Sequence, residues 1–201
     1  NRQVFSFNEA VDDAVLAPVA RGYKSLVPEF IRTGVGNFFG NLGDVWSTVN
    51  LALQAKPEPA LLMTMRVATN TLFGVAGLVD IASDLGIARQ KKDFGQTLGW
   101  WGVGNGPYLV LPLFGPSTVR DTVALPVDLK ASPSRVFGSS NDRYAATALQ
   151  LVDTRANLLD ASGVLDQIAL DKYILVRDGW LARRRSQIYD GDPPDEPAVG
   201  Q

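Results

Sequence analysis

The sequence predicts one mostly α-helical domain with little or no β-structure, on three observations. Apolar residues recur at helical rather than alternating spacing through most of the chain. Pro and Gly fall between those windows, where helices begin and end. The one long uncharged run is too broken by Gly and Pro to form a single helix. At 201 residues the chain is long enough for one domain with a core, and it contains no internal repeat.

Arg2 to Leu16 sets Val4, Phe5, Phe7, Val11, Val15 and Leu16 at helical spacing. Pro18 is expected to break or bend that helix, with a further turn or two reaching Val27. Pro28 opens the longest expected helix, which runs to about Ala55 and is stopped by Pro57 and Pro59. Another fits Ala60 to Phe73, ending at Gly74 and Gly77. Residues 86–93 read as a polar connector with a basic group, Arg89, Lys91 and Lys92. After a Gly/Pro-rich segment with at most a short extended piece around Tyr108 to Leu111, Ser117 is expected to cap a helix. That helix carries Arg120 and Asp121 and ends near Pro126. Residues 130–140 read as loop, Asn141 to about Leu159 as helix, and a last helix runs from Asp171 or Lys172 to Gln187. The domain is therefore 1–190. The tail 191–201, with three Pro and three acidic residues in eleven, is expected to be disordered.

Phe94 to Val119 is a run of twenty-six residues without a charge, holding six Gly and three Pro. A lipid-exposed span of that length would be rich in Leu, Ile and Val. Irregular backbone at membrane depth is tolerated only where protein buries it or where it lines a cavity. The segment is thus either core of a water-soluble protein or the wall of something that apolar cargo passes through.

On a helical wheel of the Pro28–Ala55 window, Ile31, Val35, Phe38, Leu42, Val45, Val49 and Leu53 share one arc, widened by Phe39 and Trp46. Asn37, Asn41, Asp44 and Thr48 lie opposite. A third strip of Gly36, Gly40, Gly43 and Ser47 would let another backbone approach closely. A solvated face would carry Lys and Glu; this one carries amides and hydroxyls. Two readings stand: a buried helix of a soluble bundle, or a helix lending its polar strip to a semi-polar passage.

The chemical inventory is nearly empty. The net charge is −2 with 46% hydrophobic residues, so the chain has no electrostatic pull toward nucleic acid. It has no His and no Cys, which removes Ser-His-Asp and Cys-His dyads, thiolate catalysts and histidine metal sites. Gly102-Val-Gly-Asn-Gly-Pro107 fails the dinucleotide pattern because Pro107 stands where the third Gly belongs. No phosphate-binding loop and no nucleophile elbow occurs. No catalytic residue, cofactor or metal is expected, and the chain is not expected to be an enzyme. Asp80 and Asp84 could share a helix face as an acid pair, though such pairs are usually structural. Arg66 and Asn70, four apart, suit either an anionic head group or a structural salt bridge and cap. Trp46, Trp100 and Trp101 are candidates for a membrane–water boundary, with core packing as the alternative. Arg183, Arg184 and Arg185 suit the end of a helix dipole or a partner surface.

Several motifs, in order, resemble the MlaA (VacJ) family of Gram-negative outer-membrane lipoproteins. They include Asn1-Arg2 with Phe7-Asn8, Pro18-Val-Ala-Arg-Gly-Tyr23, Gly36-Asn-Phe-Phe-Gly-Asn-Leu42, and Arg66 with Asn70-Thr-Leu-Phe-Gly74. The strongest are Asp93-Phe-Gly-Gln-Thr-Leu-Gly99, Gly102-Val-Gly-Asn-Gly-Pro-Tyr-Leu-Val-Leu-Pro112 and Gly115-Pro-Ser-Thr-Val-Arg-Asp121. Asp153-Thr-Arg-Ala-Asn-Leu-Leu-Asp160 and Ile188-Tyr-Asp-Gly191 follow. The family commonly reads Asp-Pro-Tyr where this chain has Asp171-Lys172-Tyr173.

The resemblance implies a ring-like helical protein in the periplasmic-side leaflet of the outer membrane, anchored through a lipid-modified Cys upstream of this chain. It implies a phospholipid cargo, a trimeric porin beside it and a soluble periplasmic lipid carrier to receive the cargo. On this reading Asn37, Asn41, Asp44, Thr48, Arg66 and Asn70 are expected along the lipid passage. Gly99, Gly102, Gly104, Gly106, Pro107 and Tyr108 are expected to shape or hinge its mouth. The competing reading is a scaffold that docks on a porin and moves nothing. A lipid hydrolase is the third, opposed by the missing His and Cys.

Overall fold

The structure, a computed structural model, describes residues 1–194 apart from the side chains at positions 166 and 168. Most of the predicted tail, from 195 onward, lies outside the described residues. Helix α1 (Arg2–Val11) runs through a widened π-helical turn, Asp12–Leu16, into α2 (Ala17–Leu26). The wide turn sits just before Pro18, which has no N–H and crowds the carbonyl four residues back. The expected break is therefore a bulge within one rod. Pro28 precedes α3 (Glu29–Leu53). Pro57 does not merely stop it but serves as the first residue of α4 (Pro57–Leu72), where a missing N–H costs nothing.

A turn with Val75, Ala76 and Gly77 in the left-handed region leads to the one-turn α5 (Ile81–Asp84), capped by Asp80. The Gly/Pro-rich segment begins as a helix, α6 (Phe94–Trp100), capped by Asp93. It then forms a hairpin of β1 (Tyr108–Leu111) and antiparallel β2 (Gly115–Thr118), with Val110 opposite Pro116. Two amides on α1, two turns apart, act as a rung along this hairpin. Asn1 donates to the Tyr108 carbonyl (2.9 Å) and accepts from Val110 N–H (3.0 Å). Asn8 donates to Leu111 (2.9 Å) and accepts from Leu113 (2.8 Å).

Thr118 rather than Ser117 caps α7 (Val119–Lys130), and the helix passes through Pro126 instead of ending there. Proline removes only one helical bond, and the turn beyond it is anchored from outside: Asp128 accepts from Trp46 Nε1 (2.7 Å) and Phe94 N–H (2.9 Å). A 3-10 turn, Pro133–Val136, follows. The longest helix is α8 (Ser140–Ile168), not α3. It runs past the expected end at Leu159 because a lone Gly163 weakens a helix by about 1 kcal/mol without stopping it. Arg155 meanwhile ties α8 to Asp12 and reaches Ser162 further along the same helix. Asp171 caps α9 (Lys172–Ile188).

The burial pattern is inverted relative to a water-soluble bundle. On α3 the apolar arc faces outward, with Val45 49%, Val49 42% and Leu53 42% exposed, whereas Asn41, Asp44, Ser47, Asn50 and Gln54 are buried. The α4 face bearing Leu61, Leu62 and Met65 is likewise exposed. Among the largest fully enclosed side chains are Arg66, Gln54, Asn50 and Asn70; among the described residues the compact buried apolar cluster is Leu51, Ala60 and Met63. The core expected from chain length is thus mainly polar. Among the described residues no helix is long and apolar enough to cross a membrane.

Candidate functional site: a charged cleft

Helix α3, the 85–93 connector, α6, the end of α7, α8 and α9 surround a cleft of about 410 Å3. The side of α3 turned to it is the small-residue strip: Gly36, Gly40, Gly43 and Ser47 all line the cleft. These positions therefore do not seat a neighbouring backbone, as their spacing had suggested. A side chain at Gly43 would meet nothing within 4 Å, whereas one at Gly40 would collide with the Arg89 guanidinium at 2.6 Å. Missing side chains here create room for the cleft and for Arg89. The wall is charged, contrary to the expected amides and hydroxyls: Arg89, Lys92 and Arg184 face Asp93, Asp128 and Asp153.

Two buried ion networks hold the wall. In the first, Arg66 projects from α4 and is completely enclosed. Its Nε donates to Asp44 of α3 (3.1 Å), its Nη1 to Ser83 (3.1 Å) and the Ile87 carbonyl (2.5 Å), and its Nη2 to Asp80. Arg89 adds a second cation on Asp44 (3.0 Å). Asn70 completes the knot, donating to Asp80 (2.9 Å) and accepting from Ala82 N–H (2.8 Å). One arginine and one amide thus tie α3, α4, α5 and the connector together. Burial pushes the Asp80 carboxyl up, but donation by Asn70, Ser83 and Arg66 outweighs it and sets the value at about 2, below the ordinary 3.8. A carboxyl lowered by folding contributes stability above about pH 4 and loses it as pH falls toward about 2. Melting temperature is expected to drop across that window, with a shallower acid slope in Asp80→Asn.

In the second network Arg184 of α9 forks onto Asp93 (2.5 and 2.7 Å) and reaches Asp121 of α7 (2.8 Å), which also pairs with Arg120 (2.9 Å). Burial opposes the charges, yet the paired partners hold Asp93 below and Arg184 above their ordinary values. Helix α6 fits against this cluster through Gly95 and Gly99, four residues apart. A Cβ at Gly95 would meet Asp121 at 2.5 Å, and one at Gly99 would meet Arg120 at 2.6 Å. Thr97 of α6 donates to Asn50 (2.7 Å) and accepts from Gln54 (3.1 Å), linking the cluster to α3. Asp128 and Asp153 have no cationic partner within 4 Å among the described residues; burial raises both. Asp153 accepts from Tyr23 (3.1 Å).

Of the residues expected along the passage, Asp44 lines the cleft and the others do not. Asn37 donates to the Leu78 carbonyl and Asn41 to Thr71, both toward the α4–α5 side, and Thr48 bonds back to its own helix at Asp44. Arg66 and Asn70 are sealed within the network. Of the mouth residues, Gly99 is buried against Arg120, while Gly102, Gly104, Gly106 and Pro107 form an exposed turn into the hairpin. Tyr108 packs edge-on against Tyr173 and Trp180. Trp46 lines the cleft, where its Nε1 donates to Asp128. Trp100 and Trp101 are 40% and 53% exposed, Trp100 under the Lys56 ammonium and Trp101 bonded to the Leu53 carbonyl. Asp84 is exposed and apart from the buried Asp80 cluster, so the two form no acid pair.

Gly102 (φ +90°) and Gly106 (φ +64°) occupy backbone conformations unsuited to other residues; Gly104 does not, and has open space around it. Valine at 106 is expected to cost about 1–2 kcal/mol, more than at 104, where little change is expected. Comparing thermal melts of the two variants checks this. The sequence reading gave Asp93, Asp128 and Asp153 no role in a site and read Arg184 only as a helix-end or partner-surface charge. The usable signal was the pair Gly95 and Gly99 directly after Asp93: two glycines one helical turn apart mark a face pressed against bulky groups.

The description "MlaA lipoprotein" belongs to a family model that matches residues 1–187. The chain belongs to the MlaA lipoprotein family. An Escherichia coli K12 member, named "Intermembrane phospholipid transport system lipoprotein MlaA", is 35% identical over 187 residues, covering 91% of this chain and 74% of that protein. The identically named protein of Haemophilus influenzae is 33% identical over 196 residues, covering 95% and 78%. A Rickettsia bellii protein without an assigned function is 31% identical over 189 residues, covering 94% and 74%. An MlaA-like fold is also seen in a solved structure described as "Structural basis for maintenance of bacterial outer membrane lipid asymmetry". It aligns with a TM-score of 0.80 at 34% identity, covering 94% of this chain and 96% of that one.

Proposed function

We propose that this MlaA-family chain is a passive phospholipid conduit of the outer membrane. It withdraws phospholipid that has strayed into the outer leaflet and passes it to a soluble periplasmic carrier while seated beside a trimeric porin. The observation that carries this reading is the inverted burial: apolar side chains outward on α3 and α4, polar ones inward, around an open charged cleft. The exposed apolar faces of those helices suit acyl surroundings, and a polar interior suits a head group. The relatives' names support it, since the Escherichia coli and Haemophilus influenzae proteins are named lipoproteins of an intermembrane phospholipid transport system. Stripping two acyl chains of about sixteen carbons into water would cost roughly 20–25 kcal/mol at about 0.8 kcal/mol per methylene. Transfer therefore requires a path that keeps the tails covered and the head group only weakly held. No bond is made or broken, so the chain acts without catalysis, and any energy input enters elsewhere.

The test is native mass spectrometry after gentle detergent extraction, paired with transfer of labelled phospholipid from vesicles to an acceptor. Co-purified phospholipid and transfer are the expected results. A lipid-free protein that transfers nothing while retaining a porin partner would replace the conduit by a scaffold.

A further inference from the structure

Charge is sorted along the cleft. The cleft itself is lined by four carboxylates, Asp44, Asp93, Asp128 and Asp153, and four cations, Arg89, Lys91, Lys92 and Arg184. An adjoining cavity of about 570 Å3 is lined by Arg89, Lys91, Lys92 and Arg183 against one carboxylate, Asp190. The two spaces share Arg89, Lys91, Lys92 and Gln187, so anything passing between them runs along the basic connector. A chain of net charge −2 has thus gathered a surplus of cations on one wall.

The cations play two parts. Asp190 is engaged by both Lys56 and Lys92, and Arg89 Nε by Asp44, so Arg89 and Lys92 are fixed background charge. Lys91 and Arg183 are exposed and pair with no carboxylate among the described residues. We propose that this outer cavity is a seat for the phosphate ester of a phospholipid head group, with Lys91 and Arg183 as its contacts. The assignment rests on the conduit reading and adds to it where the head group pauses. A guanidinium presents a planar set of donors that matches phosphate oxygens, and an ammonium adds a mobile point charge. Because both contacts are exposed and screened by salt, they hold a phosphate without trapping it, as passage requires.

The test measures binding of dihexanoyl phosphatidylglycerol and of dihexanoylglycerol, the same tails without phosphate, to the full chain by titration calorimetry. The phosphorylated lipid is expected to bind about tenfold more tightly. The double variant Lys91→Gln/Arg183→Gln, at exposed unpaired positions, is expected to keep its melting temperature. It should lose about tenfold for the phosphorylated lipid and nothing for the neutral one. Equal affinity of the two lipids, or an unaffected variant, overturns the seat while leaving the conduit standing. Inorganic phosphate binding as tightly as the lipid, with the same dependence on the variant, reassigns the site to free phosphate and overturns the head-group role. Failure of both lipids to bind the unaltered chain sinks the conduit itself.

Discussion

Replacing Arg66 with Met is expected to cost about 3–5 kcal/mol of folding stability, read as a large downward shift in the denaturant midpoint. The change keeps the length of the side chain but removes the guanidinium from the buried carboxylate of Asp44 and the half-buried one of Asp80. Asp44 is 1% exposed, so water does not reach it to compensate. Arg89 still reaches Asp44, but it lies 3.9 Å from Asp80 and cannot replace the lost fork. Lysine at 66 is expected to recover little, because a single ammonium cannot serve Asp44, Asp80, Ser83 and the Ile87 carbonyl at once. A midpoint for Arg66→Met within 1 kcal/mol of the parent would show that these helices are held by other means.

Arg184→Met is expected to be of similar size, about 3–5 kcal/mol, since it leaves Asp93 without a cation and strips Asp121 of one of its two, Arg120 remaining. It has a second readout, because Arg184 lines the cleft and joins α6, α7 and α9 across it. Adding Asp93→Asn should recover part of the loss by removing the stranded charge, a coupling that a double-mutant cycle measures. Strictly additive effects of the two substitutions would rule out the pairing. Variants at Gly99 test the same joint sterically. A side chain there meets Arg120 and Ile188 at 2.6 and 2.8 Å, so the guanidinium or the helix must shift.

The two networks explain why so much of the helical layout was legible and so little of the site. Helix spacing, prolines at first turns and polar caps are local signals, and α3, α4 and α9 lie close to where they point. Local reasoning misplaced Pro126 and the end of α8, where contacts from Trp46, Phe94 and Asp12 keep a weakened helix going. The wheel of α3 separated its strips correctly, but the polar strip was the one expected along a passage, whereas the small-residue strip faces the cleft. Asn41 and Asn37 look as suitable for a passage as Gly40 and Gly43 do. Only the position of α4 and of the Leu78 carbonyl turns the amides away.

The sequence by itself determined a helical chain with hydrophobic arcs and amide strips, and the family to which it is similar. Those properties follow from residue type and spacing along one dimension. Tertiary structure alone decided that the greasy arc looks outward, that Arg66 and Arg184 knot separate helices together, and that glycines open the cleft. Each depends on charges brought together from positions tens to about a hundred residues apart, and burial makes their pairing obligatory.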